Sequence, residues 1–202
     1  LLPHATYDFA WQFYNSDGSM ASMCGNGTRA CAHYAFMNDL APSSMRFLTG
    51  AGVIHSTVAD DIVETELTSP ITLSEPFEEH GHTWIFYDTG VPHLVCFVED
   101  VSVFDKAIAR QMRYAYNANV NYVALCKGTL HARTYERGVE DETLACGTGM
   151  AASFYAAYCE KMVEKSVTVY PTSGEELFLR IENERLFFKG KVEHVFETQW
   201  KR

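Results

Sequence analysis

The sequence has little basic charge and no long apolar run. Its 16 Lys and Arg are outnumbered by 26 Asp and Glu, the formal net charge is -10, and the basic residues are spread out rather than clustered. Nucleic acids and anionic membranes are therefore not expected as partners. No apolar run reaches the roughly 18 residues that span a bilayer, and the first residues lack the basic start and apolar centre of a signal peptide. These absences predict a soluble, cytoplasmic protein.

Common metal-binding and disulfide patterns are also absent, although the chain has six cysteines. There is no C-x-x-C pair and no H-E-x-x-H, and the Cys24 to Cys31 spacing matches no common zinc pattern. We therefore expect no metal. A disulfide framework is typical of small secreted proteins, but this chain is too large to need one and shows no export signal. Cys31, Cys96 and Cys159 lie in apolar runs, where cysteine packs as a small hydrophobic residue.

The sequence does contain enough apolar residues, 47% of 202, for a substantial core. Short β-rich runs recur between Gly, Asp, Asn, Ser and Pro. They predict strands over residues 11–14, 45–48, 53–58, 62–67, 84–87, 94–98, 121–125, 130–136, 167–170, 177–181 and 192–196. Three segments are typical of helices, namely 27–37, 103–116 and 147–162, and the first and last are apolar nearly all round.

These two apolar helices begin alike. Cys24-Gly25-Asn26-Gly27 opens the first, and Cys146-Gly147-Thr148-Gly149 opens the last. Each copy lies among short strands. The repeat predicts an α/β (α+β) fold with two pseudo-symmetric lobes, each a mixed sheet or barrel wrapped around a central helix. A soft boundary near 73–79 divides them into a first lobe, residues 1–76 plus about 198–202, and a second lobe, residues 77–197.

The repeated helix start suggests proton-transfer chemistry. A cysteine at the first turn of a helix faces unpaired N–H groups and the positive end of the helix dipole, which favours the thiolate. Adjacent glycines let a carboxylate approach the backbone. A lone cysteine is more often a packing residue, but packing does not require Cys-Gly-x-Gly twice. Cys24 and Cys146, facing each other, would remove a proton from one face of an α-carbon and return one to the other face.

Charged residues precede the second copy. Glu136 and Arg137 end a predicted strand, where an exposed ion pair would contribute little to stability. Alternatively, the forked guanidinium of Arg137 binds a substrate carboxylate, and Glu136 accepts a hydrogen bond from an ammonium group. An amino-acid ligand has both groups.

Short motifs are spread over nearly the whole chain. In order, they are Asn15-Ser16-Asp17-Gly18-Ser19, Met23-Cys24-Gly25-Asn26-Gly27-Thr28-Arg29, Gly90-Val91-Pro92-His93, Asn119-Val120-Asn121-Tyr122, Glu136-Arg137-Gly138 and Ala145-Cys146-Gly147-Thr148-Gly149. In this order and spacing they resemble the diaminopimelate epimerase family. The related proline racemases and hydroxyproline epimerases share the paired cysteines, but they typically have His at the position of Asn26 and lack the Glu-Arg-Gly run.

The resemblance implies an isomerase that interconverts LL- and meso-diaminopimelate in lysine and peptidoglycan-precursor biosynthesis, without pyridoxal phosphate, metal or nucleotide. It implies Cys24 and Cys146 as the catalytic acid and base, tuned by His93 and Glu136. The implied substrate-binding residues are Asn15, Gly25, Asn26, Asn119, Glu136, Arg137, Gly147 and Thr148. It also implies a cleft between the lobes and a homodimer.

The chain departs from the family pattern at three points. Val91 stands where the family usually has a substrate-contacting Asn. The loop between Arg137 and Cys146 is one residue longer than the common form. Family members also begin with a segment of several dozen residues that contains a Gly-Asn-Asp-Phe motif, so we expect this chain to be part of a longer protein.

Three alternatives remain open. A proline or hydroxyproline racemase would share the two cysteines, but Arg137 argues against it because those substrates have no distal carboxylate. A non-catalytic small-molecule binding module would not need to keep both cysteines. A thiol hydrolase needs one cysteine with a positioned His, which leaves the second Cys-Gly-x-Gly unexplained.

Overall fold

The computed structural model describes residues 1–14 and 18–198. Within this part of the chain there are three α-helices: α1 (Gly25–Met37), α2 (Lys106–Tyr116) and α3 (Gly147–Cys159). These are the three helices that the sequence predicts. Helix α2 begins later than expected because Asp105 is its N-cap, with Oδ1 accepting the N–H groups of Ala107 and Ile108.

Strands make up most of the remaining regular structure. In chain order they are β1 (Phe9–Ala10), β2 (Phe13–Tyr14), β3 (Met20–Ala21), β4 (Ser44–Thr49), β5 (Gly52–Ala59), β6 (Ile62–Leu67), β7 (Ile71–Glu79), β8 (His82–Asp88), β9 (Pro92–Phe97), β10 (Asn119–Cys126), β11 (Thr129–Glu136), β12 (Asp141–Thr143), β13 (Ser166–Tyr170), β14 (Leu177–Glu182) and β15 (Arg185–Lys191).

The described residues form one large mixed sheet and a separate β2–β3 pair. The strand order in the large sheet is β1-β4-β5-β6-β15-β14-β13-β11-β10-β9-β8-β7, and β12 pairs with β11. Most neighbours are antiparallel, but β1–β4, β9–β10 and β11–β13 are parallel. The pairing of β15 with β6, in register from Leu186 opposite Leu67, joins the strands that flank α1 to those that flank α3.

The two apolar helices lie inside this curved arrangement. Helix α1 packs on β5 and β6, and α3 packs on β8, β9, β10, β11, β13 and β15. Small residues such as Ala32 and Ala35 in α1, and Ala151 and Ala156 in α3, have no exposed surface. They allow strands to approach the helix on several sides. By contrast, α2 buries only Ala109 and Met112 among its residues and lies on the outside. The predicted α/β (α+β) fold, a large mixed sheet with few helices, is confirmed.

Two strand predictions need correction. Residues 192–196 form no strand, and Val195 and Phe196 are 82% and 75% exposed. The last strand is instead β15, where Leu186, Phe188 and Gly190 alternate into the core while the backbone pairs on both sides. Near the start of the chain, only Phe13–Tyr14 of the predicted strand over 11–14 is extended and paired.

Strand β7 was not predicted. It pairs on one side only, with β8, and its residues are mostly exposed, so it shows no alternation of apolar and polar side chains. It also contains Pro76, which is tolerated because edge strands need no N–H at every position. The expected lobe boundary, 73–79, falls within this strand. The division at residues 76 and 77 stays a prediction.

Candidate active site

Cys24 and Cys146 occupy equivalent places at the starts of α1 and α3. Each is the N-cap residue of its helix and has an extended backbone, with φ of -148° and -118°. The Sγ atom of Cys24 accepts the N–H of Gly27 at 3.4 Å, and the Sγ atom of Cys146 lies 3.6 Å from the hydroxyl oxygen of Thr148. Each sulfur therefore lies at the positive end of a helix.

The first glycine of each motif lets the two helix starts touch. A Cβ atom placed on Gly25 would lie 3.2 Å from the Cα of Gly147, and one placed on Gly147 would lie 3.0 Å from the Cα of Gly25. Phe188 of β15 lies beneath both, since its ring would be 3.6 Å and 3.2 Å from these two Cβ positions. The strand that joins the two halves of the sheet thus also supports both helix starts.

The second glycine of each motif accommodates a neighbouring side chain. A Cβ atom on Gly27 would lie 3.2 Å from the ring of Trp11. One on Gly149 would lie 2.6 Å from the Oδ1 atom of Asn121, closer than real Cβ contacts allow. The repeated Cys-Gly-x-Gly spacing therefore has a packing reason at both glycines: the first permits contact between the helices, and the second permits contact with the surrounding strands and loops.

The two cysteines open on one cleft of about 520 Å³. The sequence-predicted site residues that line it are Cys24, Gly25, Asn26, Asn119, Glu136, Arg137, Cys146, Gly147 and Thr148. Val91 and Arg113 also line it. Asn15 lies outside the described residues. The tertiary structure thus brings together residues from α1, β10, β11 and α3 that are far apart in the chain.

His93 lies behind the cleft wall and is completely buried. Its Nδ1 atom is 3.0 Å from the amide nitrogen of Asn121, which donates to it, so the neutral ring carries its proton on Nε2 and donates to the Thr148 hydroxyl at 2.9 Å. Thr148 in turn contacts Cys146. Burial, and then the Arg137 cation, lower the pKa of His93 to about 3. The imidazole is therefore neutral near pH 7 and reaches Cys146 only through Thr148.

The surroundings of the sulfurs favour thiols over thiolates. Burial and the Glu136 carboxylate raise the pKa of Cys146 to about 12, against the effect of the Thr148 hydroxyl. Burial also raises the pKa of the half-buried Cys24, and Glu136 adds to this, whereas the Gly27 N–H and the Arg29 cation act in the opposite direction. The expectation that a helix start lowers the thiol pKa is wrong because desolvation by burial is larger than the opposing effect of the backbone hydrogen bonds at each helix start.

Glu136 and Arg137 do not pair with each other. The Glu136 carboxylate accepts a hydrogen bond from Thr143 at 2.8 Å. The Arg137 guanidinium donates to the carbonyl of Asn117 at 2.8 Å, and its main-chain N–H donates to the Oδ1 atom of Asn119 at 2.8 Å. Among the ion pairs of the described residues, none joins Glu136 to Arg137. Both charges border the cleft without neutralising each other, unlike a simple surface ion pair.

Asn26 connects the two halves of the site and is held by a residue that sequence reasoning missed. Its amide nitrogen donates to the carbonyl of Ala145 at 3.4 Å, and its Oδ1 accepts from Arg29 at 3.0 Å. Arg29 is 3% exposed and lies over the ring of Phe188. The signal was a charged residue in a helix that is apolar nearly all round. Asn121, which supports His93, was missed as well, although it lies in a quoted motif.

The sequence is similar to that of a known protein family. A family model described as diaminopimelate epimerase matches residues 2–72 and 85–195. The chain belongs to the diaminopimelate epimerase family. A diaminopimelate epimerase from a Nitratiruptor species is 61% identical over 199 residues, which cover 98% of this chain and 80% of the relative. One from Campylobacter jejuni (strain RM1221) is 52% identical over 201 residues, covering 99% and 81%.

The diaminopimelate epimerase family shares its fold with more distant proteins. The chain is similar to a putative phenazine biosynthesis PhzC/PhzF protein from Clostridium difficile (strain 630), with a TM-score of 0.71 and 14% identity over 96% of this chain and 78% of the other. At this identity the likeness shows the fold alone.

In residues 1–14 and 18–198, no helix is both long enough and apolar enough to cross a membrane. In the same residues, no group of three or more His, Cys, Asp and Glu side chains is arranged to hold a metal ion.

Proposed function

We propose that this chain is a cytoplasmic diaminopimelate epimerase that interconverts the LL and meso isomers by two-base proton transfer, in lysine and peptidoglycan-precursor biosynthesis. The observation that carries the proposal is the pair of N-cap cysteines, Cys24 and Cys146, on two touching helix starts that open on one cleft. The high identity to curated relatives supports the substrate.

In the proposed reaction, the thiolate of one cysteine accepts the α-proton, and the electron pair left on carbon delocalises into the substrate carboxylate. The thiol of the other cysteine then donates its proton to the opposite face of the same carbon. Each turnover leaves the first cysteine as a thiol and the second as a thiolate. The reverse direction uses the same steps with the roles exchanged, and no other reactant is needed.

Both helix starts contribute to holding the reacting carboxylate. Gly25, Asn26, Gly147 and Thr148 lie in the first turns of α1 and α3, at the positive ends of these helices, and line the cleft. Negative charge that develops on the carboxylate as the α-proton leaves is stabilised at these helix starts. The absence of Cβ atoms at Gly25 and Gly147 leaves room for that close approach.

Glu136 links substrate binding to the ionisation of the thiols. Its carboxylate raises the pKa of both Cys24 and Cys146. When Glu136 accepts a hydrogen bond from a substrate ammonium group, the cation offsets the carboxylate charge. We expect the thiol pKa values to fall as a result, so that the base forms once substrate is bound.

The partners proposed are an amino-acid substrate and a second copy of the chain, as a homodimer. Arg137 borders the cleft beside Asn119 and suits a distal carboxylate, which proline and hydroxyproline do not have. This disfavours a proline-type racemase. Light scattering of the purified protein measures whether it is a dimer.

The test is proton exchange at the α-carbon. Reduced protein is incubated with LL-diaminopimelate in deuterated water, while NMR follows the α-proton and chiral chromatography follows the meso isomer. We expect exchange and meso product from the parent and neither meso product nor full exchange from Cys24→Ala or Cys146→Ala. Cys126→Ala is the matched control, because Cys126 is exposed and lies outside the cleft. Meso product from a single-cysteine variant, or none from the folded parent, would contradict the proposal.

A further inference from the structure

We infer that Arg113 is a positioning residue for Arg137 and thereby sets the affinity for the distal carboxylate of the substrate. The inference rests on the proposed function. It concerns a helix and a loop that the proton-transfer chemistry does not use, α2 and residues 137–140. No substrate contact is assigned to Arg113 itself.

Arg113 is connected to the loop that follows Arg137. It lies in the last turn of α2, and its side chain is 14% exposed. The Nε and Nη2 atoms both donate to the Oε1 atom of Glu140, at 2.9 Å and 2.7 Å. The main-chain N–H of Gly138, the residue after Arg137, donates to the same oxygen at 3.0 Å. One carboxylate oxygen thus joins α2 to the backbone beside Arg137.

The loop has a backbone that needs such support. Gly138 and Glu140 both have positive φ, 93° and 60°, and the second is unfavourable for a residue with a side chain. The Glu140 N–H donates to the Glu136 carbonyl at 2.8 Å, and the Tyr135 hydroxyl donates to the Glu140 carbonyl at 2.7 Å. The carboxylate of Glu140 is a further tie, and it joins this loop to Arg113.

Arg113 also contacts Asn117, the residue whose carbonyl accepts a hydrogen bond from the Arg137 side chain. Its Nη1 atom donates to the Oδ1 atom of Asn117 at 3.3 Å, and Asn117 is the left-handed C-cap residue of α2. The carbonyl of Asn117 accepts the guanidinium of Arg137 at 2.8 Å. Arg113 therefore contacts both Asn117, which holds the Arg137 side chain, and Glu140, which holds the following backbone.

The charges explain why Arg137, and not Arg113, is the residue that binds the distal carboxylate. Burial of the Glu140 carboxyl opposes its ionisation, but the Gly138 N–H and the Arg113 guanidinium outweigh this and lower its pKa. Glu140 is thus a carboxylate that neutralises Arg113, which lines the cleft. No ion pair of the described residues includes Arg137, so its charge stays available for a ligand.

The Arg113–Glu140 pair, 14% and 31% exposed, ties the loop between Arg137 and Cys146 to helix α2. Ordering a loop costs conformational entropy, and a contact with a helix offsets part of that cost.

The first experiment measures the loop without relying on activity. Amide hydrogen exchange of Arg137 and Gly138 is compared in the parent, Arg113→Met and Glu140→Ala. We expect both variants to lose protection at the Gly138 amide, which donates to Glu140, more than at the Arg137 amide, which donates to Asn119, while α1 and α3 keep theirs. Arg110→Met is the matched control, because Arg110 lies on the same helix and is exposed. Unchanged protection in Arg113→Met would overturn the inference, whatever the protein catalyses.

The second experiment separates positioning from general stability. With LL-diaminopimelate, we expect Arg113→Met to raise KM about tenfold and to change kcat about twofold or less, as expected for loss of binding energy that is equal in ground and transition states. Arg113→Lys, which keeps the charge but not the fork, should recover part of the affinity. Arg137→Met should raise KM further, and adding Arg113→Met to it should change nothing more.

Comparing Arg113→Met in the parent and in the Arg137→Met background shows whether Arg113 acts through Arg137. An Arg113→Met effect as large in the Arg137→Met background as in the parent would mean that Arg113 acts independently of Arg137, and the inference would fail. If the parent has no epimerase activity, the proposed function fails. The hydrogen-exchange measurement still tests whether Arg113 holds the loop after Arg137.

Discussion

Gly25 and Gly147, the first residues of α1 and α3, are in contact across the centre of the molecule: a Cβ atom on Gly147 would lie 3.0 Å from the Cα of Gly25. Each follows a cysteine that opens on the cleft. The separation of the two sulfurs therefore depends on how closely two glycine backbones approach. This dependence makes the first glycine of each motif a test of the proposed chemistry.

Gly147→Ala is expected to lower kcat/KM about 100-fold, because a Cβ atom 3.0 Å from Gly25 and 3.2 Å from the Phe188 ring must push the helix starts apart. Steady-state kinetics with LL-diaminopimelate measures kcat/KM of the parent and of the variant. The control is Gly128→Ala, in the turn between β10 and β11, where φ is 84° and a Cβ atom meets nothing within 4 Å. It should cost about 1 kcal/mol of stability and little activity. Parent-like kinetics for Gly147→Ala would show that the contact is not needed.

Gly149→Ala is expected to lower the free energy of unfolding by about 1–3 kcal/mol, because its Cβ atom would lie 2.6 Å from the Oδ1 atom of Asn121. Urea denaturation measures the change. Asn121→Ala removes the clashing atom, so the double variant should lose less stability than the two single losses combined. Additive losses would mean that the overlap is relieved elsewhere.

Cys24 is expected to react with iodoacetamide well before Cys146 at pH 8, since Cys146 is 6% exposed and has a pKa of about 12. Mass spectrometry of the digested protein gives both rates. Below its pKa, each rate should rise about tenfold per pH unit with the thiolate fraction. The exposed Cys126 and the fully buried Cys96 are internal controls for fast and absent labelling. Equal rates for Cys24 and Cys146 would refute the difference in their surroundings.

His93 is expected to make the fold acid-sensitive. Its pKa in the folded protein, about 3, is lower than the 6.5 of an unburied histidine. Its contribution to stability is therefore complete above about pH 6.5 and is lost as the pH falls towards 3, by at most about 1.4 kcal/mol per pH unit. Urea denaturation between pH 7 and 4 should show a flatter pH dependence for His93→Gln than for the parent. His55→Gln, on the exposed side of β5, is the control. An unchanged slope in His93→Gln would argue against the buried, neutral imidazole.

Much of the fold could be predicted from local patterns. The three helices and most strands follow from hydrophobic periodicity and turn residues, and β6 (Ile62–Leu67) begins and ends where expected. Strand β7 could not be predicted because an exposed edge strand with Pro76 shows no alternation. The segment at 192–196 was mistaken for a strand because apolar composition alone does not say whether a partner strand is in reach.

The site was predictable in its residues but not in its energetics. The repeated Cys-Gly-x-Gly and the Glu-Arg-Gly run lead to the side chains that line the cleft. The same pattern led to a wrong direction for the thiol pKa, since burial of Cys24 and Cys146 is a property of the assembled core. Arg29 and Arg113 were not identified because their partners, Asn26 and Glu140, are recognised only once side-chain directions are known.

The sequence by itself determined which groups are present and which local structures carry them: two cysteines at helix starts, glycines beside them, and a Glu-Arg pair at a strand end. These follow from short-range constraints such as capping, backbone freedom and periodicity. Only the tertiary structure decided that Gly25 meets Gly147, that His93 reaches Cys146 through Thr148, and that Arg113 ties down the loop after Arg137. Such relationships join distant parts of the chain, and packing, desolvation and hydrogen-bond direction depend on where those parts meet.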